Sequence, residues 1–430
     1  MFKKKLQKML GVVLAVTMMG TLALTGCGNS DGDGEKNDGS GADAGKDADK
    51  PTVTLMIDIT GFPPLNSATQ MTLDKFPEYN IVSKQWPGED ITKTIKTTFA
   101  SGGNESIDIA FIACRQLQLY KDADMLLDLT PYLEEDPEWK ASVFDSMWEA
   151  ATIDGKIYAI PWQAAYPVMI CNNDILKEAG VTMTDDMSYD ELMAAAKKIK
   201  DKGYAPFGIE GGTAPWVLRQ AYLNGFDTEE DVVAFCNGEI PFTDPRVKAA
   251  FDKAAEVFTE NYFYLDEGAL AATTDEITSG FANGKIACMF STNSAAKNVL
   301  DTTGIENYSI VGMPSFSNTG LHNVLGAPDV YFVPANVQNE KETVEVLKYL
   351  TSTEVMQAMV DGGAVVANAN VDTSDEFYAM VSKDLDRVHV LDPVHLSDEI
   401  ADYLNVSAHS EYIYNGQAVL EKLEGMRQKL

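Results

Sequence analysis

Side chains of the kinds that recognise a sugar recur in this chain at strand ends and loop starts. They are Trp162, Gln163 and Tyr166 in IPWQAAYP, Glu210, Trp216 and Arg219 in EGGTAPWVLRQ, Asn293 in STNSAAKN and Asp329 in GAPDVYF. A pyranose offers an apolar C–H face to an aromatic plate and vicinal hydroxyls to forked donors and acceptors, so binding one needs this mixture. A tryptophan on its own is more often core packing than a binding plate. Here the neighbouring Gly and Pro put the aromatics in loops, which favours a cleft.

Signatures of catalysis are missing from the sequence. There is no GxSxG elbow, no P-loop, no GxGxxG opening a helix after a strand and no HExxH. His322, His389, His395 and His409 have no partner at ligand or triad spacing. Carboxylates are so abundant that a glycosidase-like pair can be drawn almost anywhere, so pairing decides nothing without geometry. Cys114, Cys171, Cys236 and Cys288 form no CxxC pair and sit in apolar stretches, which suits buried free thiols. One disulfide among them stays open for a protein outside the cell. Neither a metal nor a cofactor is expected.

The elements that must position these residues alternate. PTVTLMIDIT (51–60), YNIVSKQW (79–86) and SIDIAFIA (106–113) read as strands, and ITKTIKTTFASGG (91–103) as a helix stopped by its glycines. YPVMICNND (166–174) and APFGIEG read as strands on either side of an amphipathic helix, YDELMAAAKKIKDKG (189–203), with Ser188 and Glu191 as a capping box. KIACMFST and VYFVPAN are later strands, and EKETVEVLKYLTSTEVMQAMVDGG a helical stretch ending on Gly362 and Gly363. Alternation of strands and helices predicts an α/β fold with largely parallel sheets, and the size, about 380 residues after the leader, suits two lobes.

At the start, Lys3, Lys4, Lys5 and Lys8 precede an apolar run from Met9 through Leu24. The run is shorter than the ~20 residues of a spanning helix and reads as a secretory signal peptide over 1–26. Leu24-Thr25-Gly26-Cys27 resembles the bacterial lipobox, which implies cleavage before Cys27 and attachment of fatty acyl chains such as palmitate there. An ordinary signal peptide with a chance cysteine is the alternative. Residues 28–50 contain no aromatic or branched aliphatic side chain, so 27–51 is expected to be a flexible acidic tether. Asp31, Asp33 and Glu35 do not make a calcium loop, since Lys36 and Ala42 occupy the positions that need Gly and Glu. Formal charge is −32, from 33 Lys plus Arg against 65 Asp plus Glu, which disfavours nucleic acid and anionic lipid surfaces.

The stretch IDGKIYAIPWQAAYPVMICNNDILKEAGV resembles the sugar-type extracellular solute-binding proteins of bacterial ABC importers, relatives of maltose-binding protein. SIDIAFIACRQL, GFANGKIACMFSTNSAA and NEKETVEVLKYLTSTEVMQ match further segments of that family in order. The resemblance implies a two-lobed periplasmic-binding-protein-like fold with a hinge and an inter-lobe cleft. On this reading 52–164 plus 290–326 form the N-terminal lobe and 165–289 plus 327–430 the C-terminal lobe. The chain would cross near Trp162 to Tyr166, return near Phe290 to Asn293 and cross again near Gly326 to Asp329. The implied ligand contacts are Trp162, Tyr166, Asn293 and Asp329 at the crossings, Glu210 and Trp216 from the second lobe, and Arg115 and Asp58 from the first. Thr292-Asn293-Ser294 and Ala327-Pro328 depart from the family's usual residues and leave the particular sugar open.

The implied function is capture of a mono- or oligosaccharide, without catalysis, by a monomer that closes on its ligand and is read by a membrane permease. The lipid would hold it at the outer face of the bacterial cytoplasmic membrane. Three alternatives remain: the same fold binding a charged solute, such as a polyamine among acidic residues or an anion among arginines; a secreted carbohydrate-active enzyme; and a purely adhesive or signalling lipoprotein.

Overall fold

Strand β1 (Thr52–Asp58, TVTLMID) is buried along all of its interior, the pattern of a strand covered on both faces. In the computed structural model, which describes residues 50–59, 62–88, 91–100, 107–389 and 398–429, it lies second in a five-stranded sheet. The signal peptide, Cys27 and the tether lie outside the described residues.

In chain order, β1 is followed by β2 (Asn80–Gln85), β3 (Ile109–Ala113), β4 (Ala159–Ala165), β5 (Pro167–Asn172), β6 (Ala205–Gly208), β7 (Ile286–Thr292), β8 (Tyr308–Gly312) and β9 (Ala327–Phe332). The first sheet has the order β2-β1-β3-β9-β4 and the second β8-β5-β7-β6. In the first, β1 runs parallel to β2 and β3, while β9 is antiparallel to both β3 and β4. Registers Asp329↔Ala113 and Ala327↔Ala165 put the carboxyl ends of β3 and β4 beside the start of β9. In the second, Pro167↔Thr292 puts the start of β5 beside the end of β7. Tyr166 alone separates β4 from β5, so these two sheet edges face a common seam.

Helices cover both sheets. α1 (Pro63–Lys75) lies over β1, and α2 is described over Ile91–Ala100; the expected glycine stop at 102–103 lies outside the described residues. The expected capping box is present on α3 (Tyr189–Asp201): Glu191 accepts from the Ser188 amide and its own amide donates to the Ser188 hydroxyl. α4 (Pro215–Leu223) packs on α5 (Pro245–Thr259), and α6 (Thr274–Ala282) covers β7. The expected late helix is two: α7 (Glu340–Leu350) and α8 (Thr353–Asp361), parted by Thr351 and by Ser352, whose hydroxyl caps α8 at the Val355 amide. α9 (Glu376–Ser382) then leads to α10 (Asp398–Val406), α11 (Ala408–Asn415) and α12 (Gln417–Arg427).

Sheet membership corrects the expected lobe boundaries. β8 pairs with β5 and so belongs to the second lobe, while β9 lies between β3 and β4 in the first. α7 and α8 pack against α1, again on the first lobe, whereas α10, α11 and α12 join the second-lobe core through Ile400, Leu404, Tyr412 and Leu420. The chain therefore returns to the first lobe through 313–326 rather than near Phe290 to Asn293. β7 stays in the second sheet because its Cys288 and Phe290 fill the same core as Phe207 and Phe263.

Candidate functional site

The site is assembled from the residues where the seam is narrowest. β3 ends in Ala113, and the turn that follows presents the exposed Arg115. Asp329, the third residue of β9, pairs with Ala113, just before Arg115. From the other sheet come Pro167 and Thr292, and α4 contributes Trp216 and Arg219. Three residues apart on a helix, these two side chains share a face. Together with Ala165, Tyr166, Leu325 and Gly326 they line a cavity of about 200 Å3. A larger depression, about 580 Å3, lies off the sheet edges, lined by residues such as Phe144, Thr373 and Leu385. Ligands of open α/β sheets sit at the carboxyl ends of strands where connections diverge, which points to the smaller cavity.

α4 is buried on nearly every side, so its polar residues need partners inside the protein. Gln220 donates to the Asn323 carbonyl at 2.7 Å and accepts from the Leu325 amide at 2.9 Å. Asn224 accepts from the Asn323 amide at 2.6 Å. This network clamps the return segment to α4 and thereby places Leu325 and Gly326 on the cavity wall. Gly326 is required there, because a Cβ would collide with Val388. Arg219 is 9% exposed and donates to Asn405 Oδ1 on α10. Burial, and then the charge of Arg115, lower its pKa to about 9, which leaves it charged at neutral pH. Asp329 is half-buried; desolvation pushes its carboxyl up to about 7, with Arg115 opposing.

The structure brings Arg115, Tyr166, Trp216 and Asp329 together and leaves the other four expected contacts elsewhere. Trp162 is 1% exposed, stacked on Tyr331 at 5.3 Å and edge-on to Phe111. The register steps from Asp329↔Gln163 to Val330↔Pro161, so Trp162 is the extra residue of a bulge, which redirects it into the core. Asn293 is fully buried; its Oδ1 accepts from the Tyr166 amide at 3.1 Å and its Nδ2 donates to the Val381 carbonyl, which fixes the crossing. Asp58 accepts from Thr69 at 2.6 Å and from Ser83, tying α1 and β2 to the end of β1. Glu210 accepts from Thr274 at 2.8 Å in the first turn of α6, where a negative charge suits the helix dipole. Tyr166 itself shows the cavity little of its polar end, since its hydroxyl donates to the Val381 carbonyl at 2.6 Å. The sequence names Arg219 among sugar-recognising side chains but not among the expected ligand contacts, and Gln220 not at all; the three-residue spacing from Trp216 to Arg219 in a helix opened by Pro215 is a readable signal.

The four cysteines within the described residues are free and buried, with Cys171 opposite Cys288 in the β5–β7 register. Among the described residues no group of three or more His, Cys, Asp or Glu is placed to hold a metal ion, and no helix is long and apolar enough to cross a membrane.

The sequence model of the bacterial extracellular solute-binding proteins matches residues 63–357. The chain belongs to that family. Among solved structures of extracellular solute-binding proteins, a probable secreted solute-binding lipoprotein of Streptomyces coelicolor superposes with a TM-score of 0.72 at 20% identity, covering 89% of this chain and 100% of the other. The unliganded RafE of Streptococcus pneumoniae gives 0.72 at 19% identity, with 88% and 97% covered. These likenesses show the two-lobed fold. In sequence, a putative binding protein of Brucella abortus is 22% identical over 274 residues, 61% of this chain and 62% of that one. The sn-glycerol-3-phosphate-binding periplasmic protein of Rhizobium meliloti is 22% identical over 209 residues, 47% of each. The chain thus spans between about half and two thirds of the length of these two relatives.

Proposed function

We propose that this solute-binding protein is the capture component of an ABC importer, taking a carbohydrate into the cleft between its lobes and delivering it to a membrane permease without chemical turnover. The observation that supports this reading most is the cavity at the facing sheet edges, which combines the half-buried indole of Trp216 with Arg115, Arg219 and Asp329. An aromatic plate beside forked donors and a carboxylate acceptor suits a polyhydroxylated ring. Solved proteins of this fold include one in complex with raffinose, one described as binding chitin oligosaccharide and one with a preference for β-D-galactopyranose. In this reading Arg115, Trp216 and Asp329 touch the solute, Tyr166 closes the wall by its backbone and ring, and the protein acts as a monomer. Acylation at Cys27 keeps it at the outer face of the membrane, where the tether raises its effective concentration near the permease.

Isothermal titration against neutral and charged mono- and oligosaccharides tests the reading. It requires saturable binding of a sugar with the ligand recovered unchanged; appearance of a cleaved or modified sugar would refute it. The polyamine alternative is disfavoured by two guanidinium groups on the cavity wall against one carboxylate.

A further inference from the structure

We propose that Cys171 and Cys288 close a disulfide between the two central strands of the second sheet once the chain is outside the cell. The family is extracellular, and disulfides persist in such compartments, whereas the cytosol keeps thiols reduced.

The place of the pair in the ladder decides whether a bond can form. β5 and β7 run antiparallel, with Pro167↔Thr292 at one end of the register and Cys171↔Cys288 at the other. One step before Pro167, the Asn293 amide donates to the Tyr166 carbonyl at 2.9 Å, so Tyr166 and Asn293 form a hydrogen-bonded pair. Hydrogen-bonded and non-hydrogen-bonded pairs alternate along an antiparallel ladder. Pro167, which has no amide hydrogen, accordingly falls in a non-hydrogen-bonded pair, and by the same alternation so do Met169 and Cys171. At such a pair the Cα atoms lie about 4.5 Å apart, inside the range of roughly 4.4–6.8 Å that a disulfide spans. Residues directly opposite each other point to the same face, so the sulfurs meet without a shift of register.

The two thiols are already in contact. Both residues are fully buried, and burial, followed by a hydrogen bond with the Cys171 sulfur, holds the Cys288 thiol well above the usual thiol range. They share the apolar core of the second lobe, where Cys288 also pairs with Phe207. Cys114 belongs to the core of the first lobe, and Cys236 lies beside Arg427 of α12. The fold therefore selects Cys171 and Cys288 from the four.

A buried neutral thiol is a poor nucleophile, so the bond forms while the lobe is still folding. The thiolate of one cysteine attacks a sulfur of a disulfide donor, a protein or small-molecule disulfide outside the membrane, and releases one donor thiol. The thiolate of the other cysteine attacks the chain's own sulfur in the mixed disulfide and expels the second donor thiol. Two electrons pass to the donor, and the two protons end on its thiols. The closed loop takes in α3, α4, α5 and α6, and a loop of that length restricts the unfolded chain strongly. It also fixes the second-lobe side of the crossing, since β5 starts just after Tyr166 and Asn293, which follows β7, binds the Tyr166 amide.

Peptide mapping of the full chain tests this. The protein is taken from the cells that make it, its free thiols are alkylated in denaturant, and it is digested without reduction. Mass spectrometry should find the Cys171 peptide linked to the Cys288 peptide in most molecules, with Cys114 and Cys236 alkylated. Alkylation of Cys171 and Cys288 in most molecules, or a link from either to another cysteine, would overturn the proposal. A second measurement does not depend on the host's oxidants. Protein unfolded, reduced and refolded with oxidised glutathione should carry the same link and melt roughly 3–8 °C above protein refolded with dithiothreitol. Cys171→Ala combined with Cys288→Ala should abolish that difference, and Cys114→Ala combined with Cys236→Ala should keep it. Equal melting of the parent after both treatments, or a difference that survives loss of Cys171 and Cys288, would count against the bond.

Discussion

Asp329 is the residue whose chemistry depends most on its setting. At the start of β9 it is half-buried, and desolvation raises its pKa to about 7 from an unfolded value near 3.9. A raised carboxyl pKa means that the native state keeps a proton which the unfolded chain gives up. Its contribution to stability is therefore fully present below about pH 4 and is lost as pH rises through 7. Asp329→Asn should leave stability unchanged at pH 4 and raise it by about 1–2 kcal/mol at pH 8, with allowance for partial exposure. Denaturant unfolding at the two pH values measures this, and an equal shift at both would contradict it. Residue types in the sequence announce Asp329 and Trp216 as candidates, and the family resemblance adds Arg115, but Trp162 shows the limit of that reading. Its neighbourhood of Pro, Gln and Tyr is that of a binding loop, yet one extra residue in the β4–β9 register turns it onto Tyr331. That register pairs Gln163 with Asp329 and Pro161 with Val330, far apart in the chain, which no local pattern in IPWQAAYP encodes.

At the scale of elements, local signals were sound and long-range pairings were not. The capping box at Ser188 and the buried run of β1 follow from side-chain hydrogen bonding and hydrophobic content within a few residues, so both are legible in the sequence. The assignment of β8 and β9 to sheets is decided by which core their apolar faces fill, and the sequence of YSIVG or APDVYF suits either core. The crossings show the same division. Tyr166, placed as a ligand contact by resemblance, acts mainly as a tether: its hydroxyl donates to the Val381 carbonyl and accepts from the Asp384 amide at 3.3 Å, so the β4–β5 crossing is bound to the segment after α9. Tyr166→Phe removes both bonds and should lower stability by about 1–2 kcal/mol. Solute affinity should stay within twofold of the parent, since the lost hydroxyl points away from the cavity. A tenfold loss of affinity without a change in the unfolding midpoint would instead put the hydroxyl in the site.

At the scale of the whole molecule, neither lobe is a continuous piece of chain. The first lobe takes β1 to β4, then β9, α7 and α8; the second takes β5 to β8, then α10 to α12. Each core is completed by segments that have already passed through the other lobe. The two lobes should therefore unfold together: calorimetry of the unliganded protein should give one transition whose calorimetric and van't Hoff enthalpies agree, and two resolved peaks would refute this. A ligand at a hundred times its dissociation constant should move that single transition as a unit, adding about 2.7 kcal/mol.

The position of β9 between β3 and β4 also imposes an order of events on synthesis. Without β9 the first sheet has no strand to join β3 to β4, and roughly 160 residues separate the end of β4 from the start of β9, on the order of 10–30 s of ribosome time. Through that interval the nascent amino-terminal half has only an unfinished sheet. A polypeptide exported through a narrow channel has to travel unfolded, and a fold whose first lobe stays incomplete until residue 332 has been made keeps itself threadable by topology.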